Sequence, residues 1–450
     1  MQRAPLPIKD ELTVTSIAIL GTGMAGFGAA HAAHEAGFRP VMYDMHNHIG
    51  GHTASYKFQG GWTFDEGPHV SFTENTRVKE LLANNVGGKY EEFPTKVNNY
   101  WKGHWIKHPA QINLNGLPSD LVTRIMLEFV ELERRKEPPP IHNYEDWLRA
   151  SFGDTFSETF PMEYTIKYHT TTAANMNTDW IGPRLYRPKL EEVFRGALQA
   201  NSEDVHYISG FRYPTYGGFV AYLEPLREIA DIKLGHKVIR IDPRERILHF
   251  ANGVTVRFDR LVSSIPLPEL VPMIVGAPKD ILEAADRLSC SEAVIVSLGI
   301  NRPDLVDAHW TYFYDREIFF TRLSTPHLQS RHNVPPGCGS LQAECYYSKR
   351  YRPLDRRPED CIDPVISDLN RCGVLRETDR VLFRHAMHIP YANVIFDLES
   401  TTSAAAVHGF LDDIGVGYCG RYGDWAYTWT DQSFLSGERA LQKLLARAGS

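Results

Sequence analysis

The first strong pattern along the chain is VTSIAIL at residues 14–20, apolar on both faces, which predicts a buried parallel strand. GTGMAG follows at once and leads into an Ala-rich helix, FGAAHAAHEAG; RPVMYD then predicts a second strand. Strand, glycine turn, helix and strand make a βαβ beginning of the doubly wound type. From about residue 72 to 145 the pattern turns helical and polar. LPSDLVTRIMLEFVELERRKEPPP predicts an amphipathic helix stopped by prolines, and further helices are expected through residue 169. Residues 233–265 alternate apolar and polar positions around turns at Asp242-Pro243 and Asn252-Gly253, a β-meander running into the apolar strand LVSSIP. Residues 290–350 are strand-like again, in AVIVSLGI, WTYFY, IFFTRLS and SLQAECYYS, and suit a second sheet that roofs a cavity. IGVGYCGRYGDWAY ends a last strand in glycine before a closing helix, SGERALQKLLARA.

The expected fold class is therefore α/β: a discontinuous Rossmann-like dinucleotide-binding domain, a helical sub-domain and a second mixed or antiparallel sheet domain. The boundaries read from the pattern put the cofactor domain at 1–75, 201–285 and 406–450. A mainly helical sub-domain with a mobile lid takes 76–200, and a sheet-rich substrate domain takes 286–405. A chain of 450 residues is long enough for two or three such units.

Composition narrows the partners. Hydrophobic content of 43%, charged content of 23% and a net charge of −7 describe a globular protein with no basic face for nucleic acid. No stretch approaches the ~20 apolar residues of a membrane span. The first residues, MQRAPLPIKDELTVTS, lack the apolar run of a secretion signal, so the expected compartment is the cytoplasm. The six cysteines show no CxxC or metal spacing and are expected to be reduced thiols. His46, His48 and His52 cluster, but a glycine pair lies between them, and no metal site is expected.

Gly21, Gly23 and Gly26 form GxGxxG between a predicted strand and helix. The first glycine permits the tight turn, the second lets backbone approach a pyrophosphate, and the third lets helix and strand pack closely. The helix start at Met24 and Ala25 offers free N–H groups to phosphates. Asp44 ends the next strand about twenty residues on, where an acid binds adenosine ribose hydroxyls. This much does not separate NAD from FAD. The next residues, MHNHIGGHTASY, carry a second pair, Gly50-Gly51, followed by His52. That pair resembles the FAD-contacting extension of the flavin amine oxidase superfamily. Gly420-Arg421 before the last helix resembles its third flavin contact, and FRYPTYGG its flavin-facing loop. Val238, at the start of the meander, is expected to complete the FAD contacts.

Several segments, in order, go further and resemble the UDP-galactopyranose mutases, more the eukaryotic branch than the bacterial one. WTFDEGPHVSF places His69 on the family's mobile histidine beside the flavin. WIKHPAQINLNGLP places His108 and Gln111 on a substrate-binding stretch, with His108 in a Tyr position. MEYTIKYHTTTAANMNTDWIGPR places Arg184 on the flexible loop. WTYFYDREIFFTR supplies Tyr312 and Arg322, IPYANVI supplies Tyr391, and GRYGDWAYTWTDQSF supplies Arg421, Tyr427 and Asp431. Thr165, His169 and Ile208 depart from the family at groups used around nucleotide and sugar.

The resemblance implies a flavin-dependent sugar-nucleotide mutase that interconverts pyranose and furanose rings with reduced FAD and no net redox change. Arg322 and Arg421 would hold the diphosphate, because a planar guanidinium pairs phosphate oxygens bidentately and keeps its charge. Arg184 would close over bound ligand, and the tyrosines would donate hydroxyls to phosphate. The changed residues point to a substrate other than UDP-galactose. The expected partners are a nucleoside-diphosphate sugar and a reductant such as NAD(P)H, with a homo-oligomer left open. An FAD-dependent oxidoreductase, of the amine oxidase or protoporphyrinogen oxidase kind, shares the fold and early motifs and would want an apolar cage. A protein that binds flavin without catalysis is also compatible with the sequence.

Overall fold

The structure, a computed structural model, describes residues 16–137, 139–182, 185–200 and 208–447. Two sheets carry it. In chain order their strands are β1 (Ile17–Leu20), β2 (Val41–Tyr43), β3 (Val97–Trp101), β4 (His104–Lys107), β5 (Asp231–Lys233) and β6 (Arg260–Ser263). Then come β7 (Ser289–Ile300), β8 (Trp310–Phe313), β9 (Arg322–Ser324), β10 (Gly339–Tyr347), β11 (Val381–Ile395) and β12 (Val416–Tyr418).

The first sheet is wholly parallel, in the order β12–β6–β1–β2–β5. The central strand is buried along its length, as the unbroken apolar run requires. Helix α1 (Met24–Glu35) leaves β1 through the glycine turn. A later helix, α4 below (Thr430–Ala446), packs along α1 at very short range. A Cβ on Gly28 would run into the Phe434 carbonyl, and one on Gly437 into that of Ala25. The contact is fastened at Glu438, which is 6% exposed and takes Arg77 on both oxygens and His31 Nδ1 at 3.0 Å.

The second sheet runs β11–β7–β10–β9–β8–β3–β4, antiparallel except where β8 meets β3. The stretch 72–145 is therefore not helical throughout. β3 and β4 lie inside it and extend the large sheet, while a separate short strand, Tyr90–Pro94, pairs with Gly210–Pro214. VNNYW and HWIK are short and polar, and β3 gains its place from parallel pairing with residues more than two hundred positions away. The meander of 238–257 forms as expected, as three antiparallel strands. Two further helices are α2 (Pro161–Tyr168) and α3 (Ser400–Asp413). All six cysteines are free. Among the described residues no helix is long and apolar enough to cross a membrane.

Candidate active site

A cavity of about 460 Å³ lies between the two sheets. One end is a cradle of backbone. Gly21 has φ +105°, and a Cβ there would strike Ser264 Oγ. Gly26 does not line the cavity; it packs under the turn, where a Cβ would meet the Gly21 carbonyl. Gly23 differs. A Cβ there meets nothing nearer than the Gly50 carbonyl at 3.5 Å, so the missing side chain leaves room on the cavity side. Gly23 bridges Gly50, so the two glycine turns form one surface. Asp44 closes it at the tip of β2. Its Oδ2 accepts from Thr22 N at 2.9 Å and Thr22 Oγ1 at 2.7 Å, and its Oδ1 from His46 N at 3.0 Å and His46 Nδ1 at 2.9 Å. Burial works against the charge of Asp44, but these four bonds outweigh it and hold the carboxyl below its usual range. A glycine-walled turn at a helix N-terminus, with an ionised acid at the neighbouring strand tip, fits a dinucleotide.

The cradle continues through His52 and His69. His52 Nδ1 lies 2.8 Å from Glu66 Oε1, and Tyr56 donates its hydroxyl to the other oxygen of Glu66 at 2.7 Å. His69 Nδ1 lies 3.0 Å from the Gly67 carbonyl, which only accepts, so that nitrogen carries the proton and Nε2 is left as an acceptor. Burial pushes the His69 pKa down to about 4, helped by the charge of Arg421, so the ring is neutral at pH 7.

The other end of the cavity is built on one face of the large sheet. Strand pairing sets Asn99, Tyr312, Arg322, Glu344, Ile295 and Met387 side by side in a single row across six strands. The next row holds Tyr346, Ala293 and Ile389. Arg322 donates Nε and Nη2 to Glu344 at 2.6 and 2.7 Å, and Tyr346 donates its hydroxyl to the same carboxylate. Nη1 of Arg322 has no hydrogen-bond partner among the described residues. Arg421 is held differently. Its Nε and Nη2 donate to the Thr428 carbonyl at 3.1 and 2.7 Å, and Nη1 reaches the Ala392 carbonyl and Asn393 Oδ1 at 3.4 and 3.3 Å. The guanidinium lies over the Tyr427 ring, 5.2 Å from its centroid, and no carboxylate pairs with it among the described residues. Tyr427 and Tyr168 share a hydroxyl contact of 3.2 Å.

The flavin containing amine oxidoreductase family model matches residues 24–440. The chain belongs to that family. As a member it takes FAD, and the cradle described above is where FAD fits. Its structure superposes on that of reduced UDP-galactopyranose mutase with a TM-score of 0.89, over 97% of this chain and 96% of that one, at 24% identity; likeness at that identity shows the fold. Among curated proteins, it is 23% identical over 363 residues to 4,4'-diapophytoene desaturase of Staphylococcus aureus, covering 68% of this chain and 69% of that protein. The match to 15-cis-phytoene desaturase of Synechococcus elongatus, 27% identical over 124 residues, spans only 26% of that protein.

Within this flavoenzyme, eleven of the twelve residues expected to contact FAD line the cavity; the exception is Gly26. His69, Tyr312, Arg322, Tyr391, Arg421 and Tyr427 line it as well. His108 and Gln111 do not. His108 Nδ1 lies 3.2 Å from Asn99 Oδ1, and the Gln111 amide donates to the Tyr186 carbonyl at 2.6 Å. Asp431 sits in the first turn of α4, off the cavity wall. Arg184 lies outside the described residues. Sequence reading passed over Glu66, Tyr168, Glu344 and Tyr346, all of which line the cavity. Strand alternation puts Glu344 and Tyr346 on one face, a signal present in SLQAECYYS.

Proposed function

We propose that this flavoenzyme acts on a nucleoside-diphosphate sugar and interconverts its pyranose and furanose forms with reduced FAD and no net redox change. The observation that carries the reading is Arg421, a guanidinium in the cavity wall that donates to the Thr428 carbonyl and Asn393 Oδ1 and has no carboxylate partner among the described residues. A partly buried cation without an acid is an anion site. Arg322 keeps Nη1 for the same anion while Glu344 fixes its plane. The two residues bind the diphosphate and hold it close after it leaves the sugar, so that it can return. Tyr168 and Tyr427 offer hydroxyls beside it. His69, neutral and with Nε2 open, accepts a hydrogen bond or a proton without adding charge. Reduced FAD, when bound, supplies the nucleophile for the anomeric carbon. An NAD(P)H-type donor would keep it reduced.

The substrate differs from UDP-galactose in this reading. Where the resembled family uses polar groups, Ile208 presents an apolar side chain to the cavity. Thr165 returns its hydroxyl to the Pro161 carbonyl at 2.6 Å, and His169 is buried.

A second reading, an FAD-dependent oxidoreductase of an apolar substrate, draws on Ala293, Ile295 and Ile389 in the same wall and on the desaturase relatives. Incubating the reduced protein with UDP-, GDP- and dTDP-sugars separates the two. Isomerised sugar with the reductant unspent supports the mutase. Product formed only in step with electron transfer supports the oxidoreductase.

A further inference from the structure

Two guanidiniums face the cavity, and the protein closes them differently. Arg322 meets a carboxylate, Glu344, and the two charges cancel. Arg421 meets an amide, its Nη1 lying 3.3 Å from Asn393 Oδ1 and 3.4 Å from the Ala392 carbonyl. Both of these acceptors belong to an irregularity in the large sheet. β7 and β11 pair Ser291 with Asn393 and then Ala293 with Ile389, so Glu292 stands opposite Pro390, Tyr391 and Ala392 together. Such a bulge bends the strand and re-aims its side chains. Its carbonyls are taken up by side chains: Pro390 accepts from Cys290 Sγ at 3.7 Å, Tyr391 from the Tyr422 hydroxyl at 2.7 Å, and Ala392 from Arg421. Asn393 follows the bulge, is 5% exposed and lines the cavity.

We infer that Asn393 sets the charge of the anion site: the neutral amide at this position, where a carboxylate would fit, is what leaves the charge of Arg421 to the ligand. The inference rests on the diphosphate reading above and names a residue that decides which ligands the site accepts. Packing does not explain the amide. Aspartate has the same shape and would keep an oxygen toward Arg421, and the nitrogen it replaces, Nδ2, has no hydrogen-bond partner among the described residues. A carboxylate would also bond the guanidinium more strongly than an amide oxygen does. Stability alone therefore favours aspartate. What aspartate would remove is the free cation, because Arg421 would then be closed as Arg322 is. His69 beside it is neutral, so it cannot replace that charge. Of the two guanidiniums in this wall, Arg421 is the one whose charge no carboxylate cancels among the described residues, and residue 393 is the side chain placed to cancel it.

The test titrates UDP, GDP and inorganic pyrophosphate into the full-length FAD-loaded protein by calorimetry and carries the tightest-binding of them to two variants. Asn393→Asp is expected to bind it at least about thirtyfold more weakly than wild type, with flavin content unchanged and a melting temperature no lower. Asn393→Ser removes the amide without adding charge and is expected to lose about fivefold or less. The order separates charge from support, since a residue that only props Arg421 is better replaced by isosteric aspartate than by serine. Serine losing as much as aspartate, or Asn393→Asp binding within about fivefold of wild type, would overturn the inference. So would an Asn393→Asp protein that fails to fold or melts well below wild type, because the wall must accept the carboxylate. If none of the ligands binds the wild-type protein, the diphosphate reading falls and the inference with it. Wild-type binding with the variants in the wrong order defeats the inference alone.

Discussion

Removing Arg322 should destabilise the fold strongly, and removing Glu344 as well should restore much of the loss. The two residues face each other across β9 and β10 and exchange two charge-assisted bonds of 2.6 and 2.7 Å. Glu344 is 1% exposed, so in Arg322→Ala its carboxylate stays buried with only the Tyr346 hydroxyl for company. Breaking such a pair from one side costs about 3–5 kcal/mol, most of it the uncompensated charge. Glu344→Gln removes that charge and keeps an oxygen for Tyr346. The double variant should therefore be more stable than Arg322→Ala alone, with a coupling of about 2 kcal/mol relative to the sum of the single changes. Urea unfolding followed by circular dichroism at a fixed excess of FAD measures all four proteins on one footing. Single effects that add to within about 0.5 kcal/mol would refute the pairing. The same physics makes Arg322→Ala a poor binding probe, since a loss of ligand affinity there is mixed with a loss of fold.

Gly23→Val should purify colourless yet folded, because an added Cβ meets the protein only at ordinary van der Waals range, the Gly50 carbonyl at 3.5 Å and Gly51 Cα at 3.7 Å, while the side chain fills the cofactor side of the turn; absorbance near the flavin band against protein content measures it. Arg421→Lys should weaken nucleoside diphosphate binding by about thirty- to several-hundred-fold, as the ammonium keeps charge but loses the fork. A calorimetric affinity equal to wild type would make Arg421 a purely structural residue. His169 is buried, its Nδ1 has no hydrogen-bond partner among the described residues, and burial holds its pKa near 3. A pKa lowered on folding gives stability that is full above the unfolded value of about 6.5 and is lost as pH falls toward 3, by about 1.4 kcal/mol per pH unit. His169→Phe should flatten the fall in melting temperature between pH 6.5 and pH 4, and an unchanged slope would contradict the assignment.

The cofactor half of the fold was legible because backbone geometry leaves few choices. Gly21 needs a positive φ and Gly26 needs close packing, so glycine marks both wherever the turn occurs. The apolar runs of β1 and β6 are likewise forced by burial on both faces. The substrate half was legible by strand and not by partner. Arg322 could be placed on a strand face from alternation alone, but that Glu344 lies opposite depends on the register between β9 and β10, which no local pattern encodes. β3 and β4 were missed for a related reason: their residues are half polar, and the pairing that makes them strands is long-range. His108 and Gln111 show the same limit, since the groups they bond, Asn99 and the Tyr186 carbonyl, are brought to them by folding.

The most direct test of the proposed function is the ratio of reductant consumed to sugar product formed. The protein is reduced anaerobically, supplied with a known excess of NAD(P)H and incubated with a nucleoside-diphosphate sugar that it binds. Product is counted by chromatography and reductant by absorbance at the nicotinamide band. The account predicts many turnovers with reductant use far below product, and no turnover by the oxidised protein. One reductant consumed, or one electron pair delivered to an acceptor, for every product molecule would contradict it and assign the cavity to oxidation.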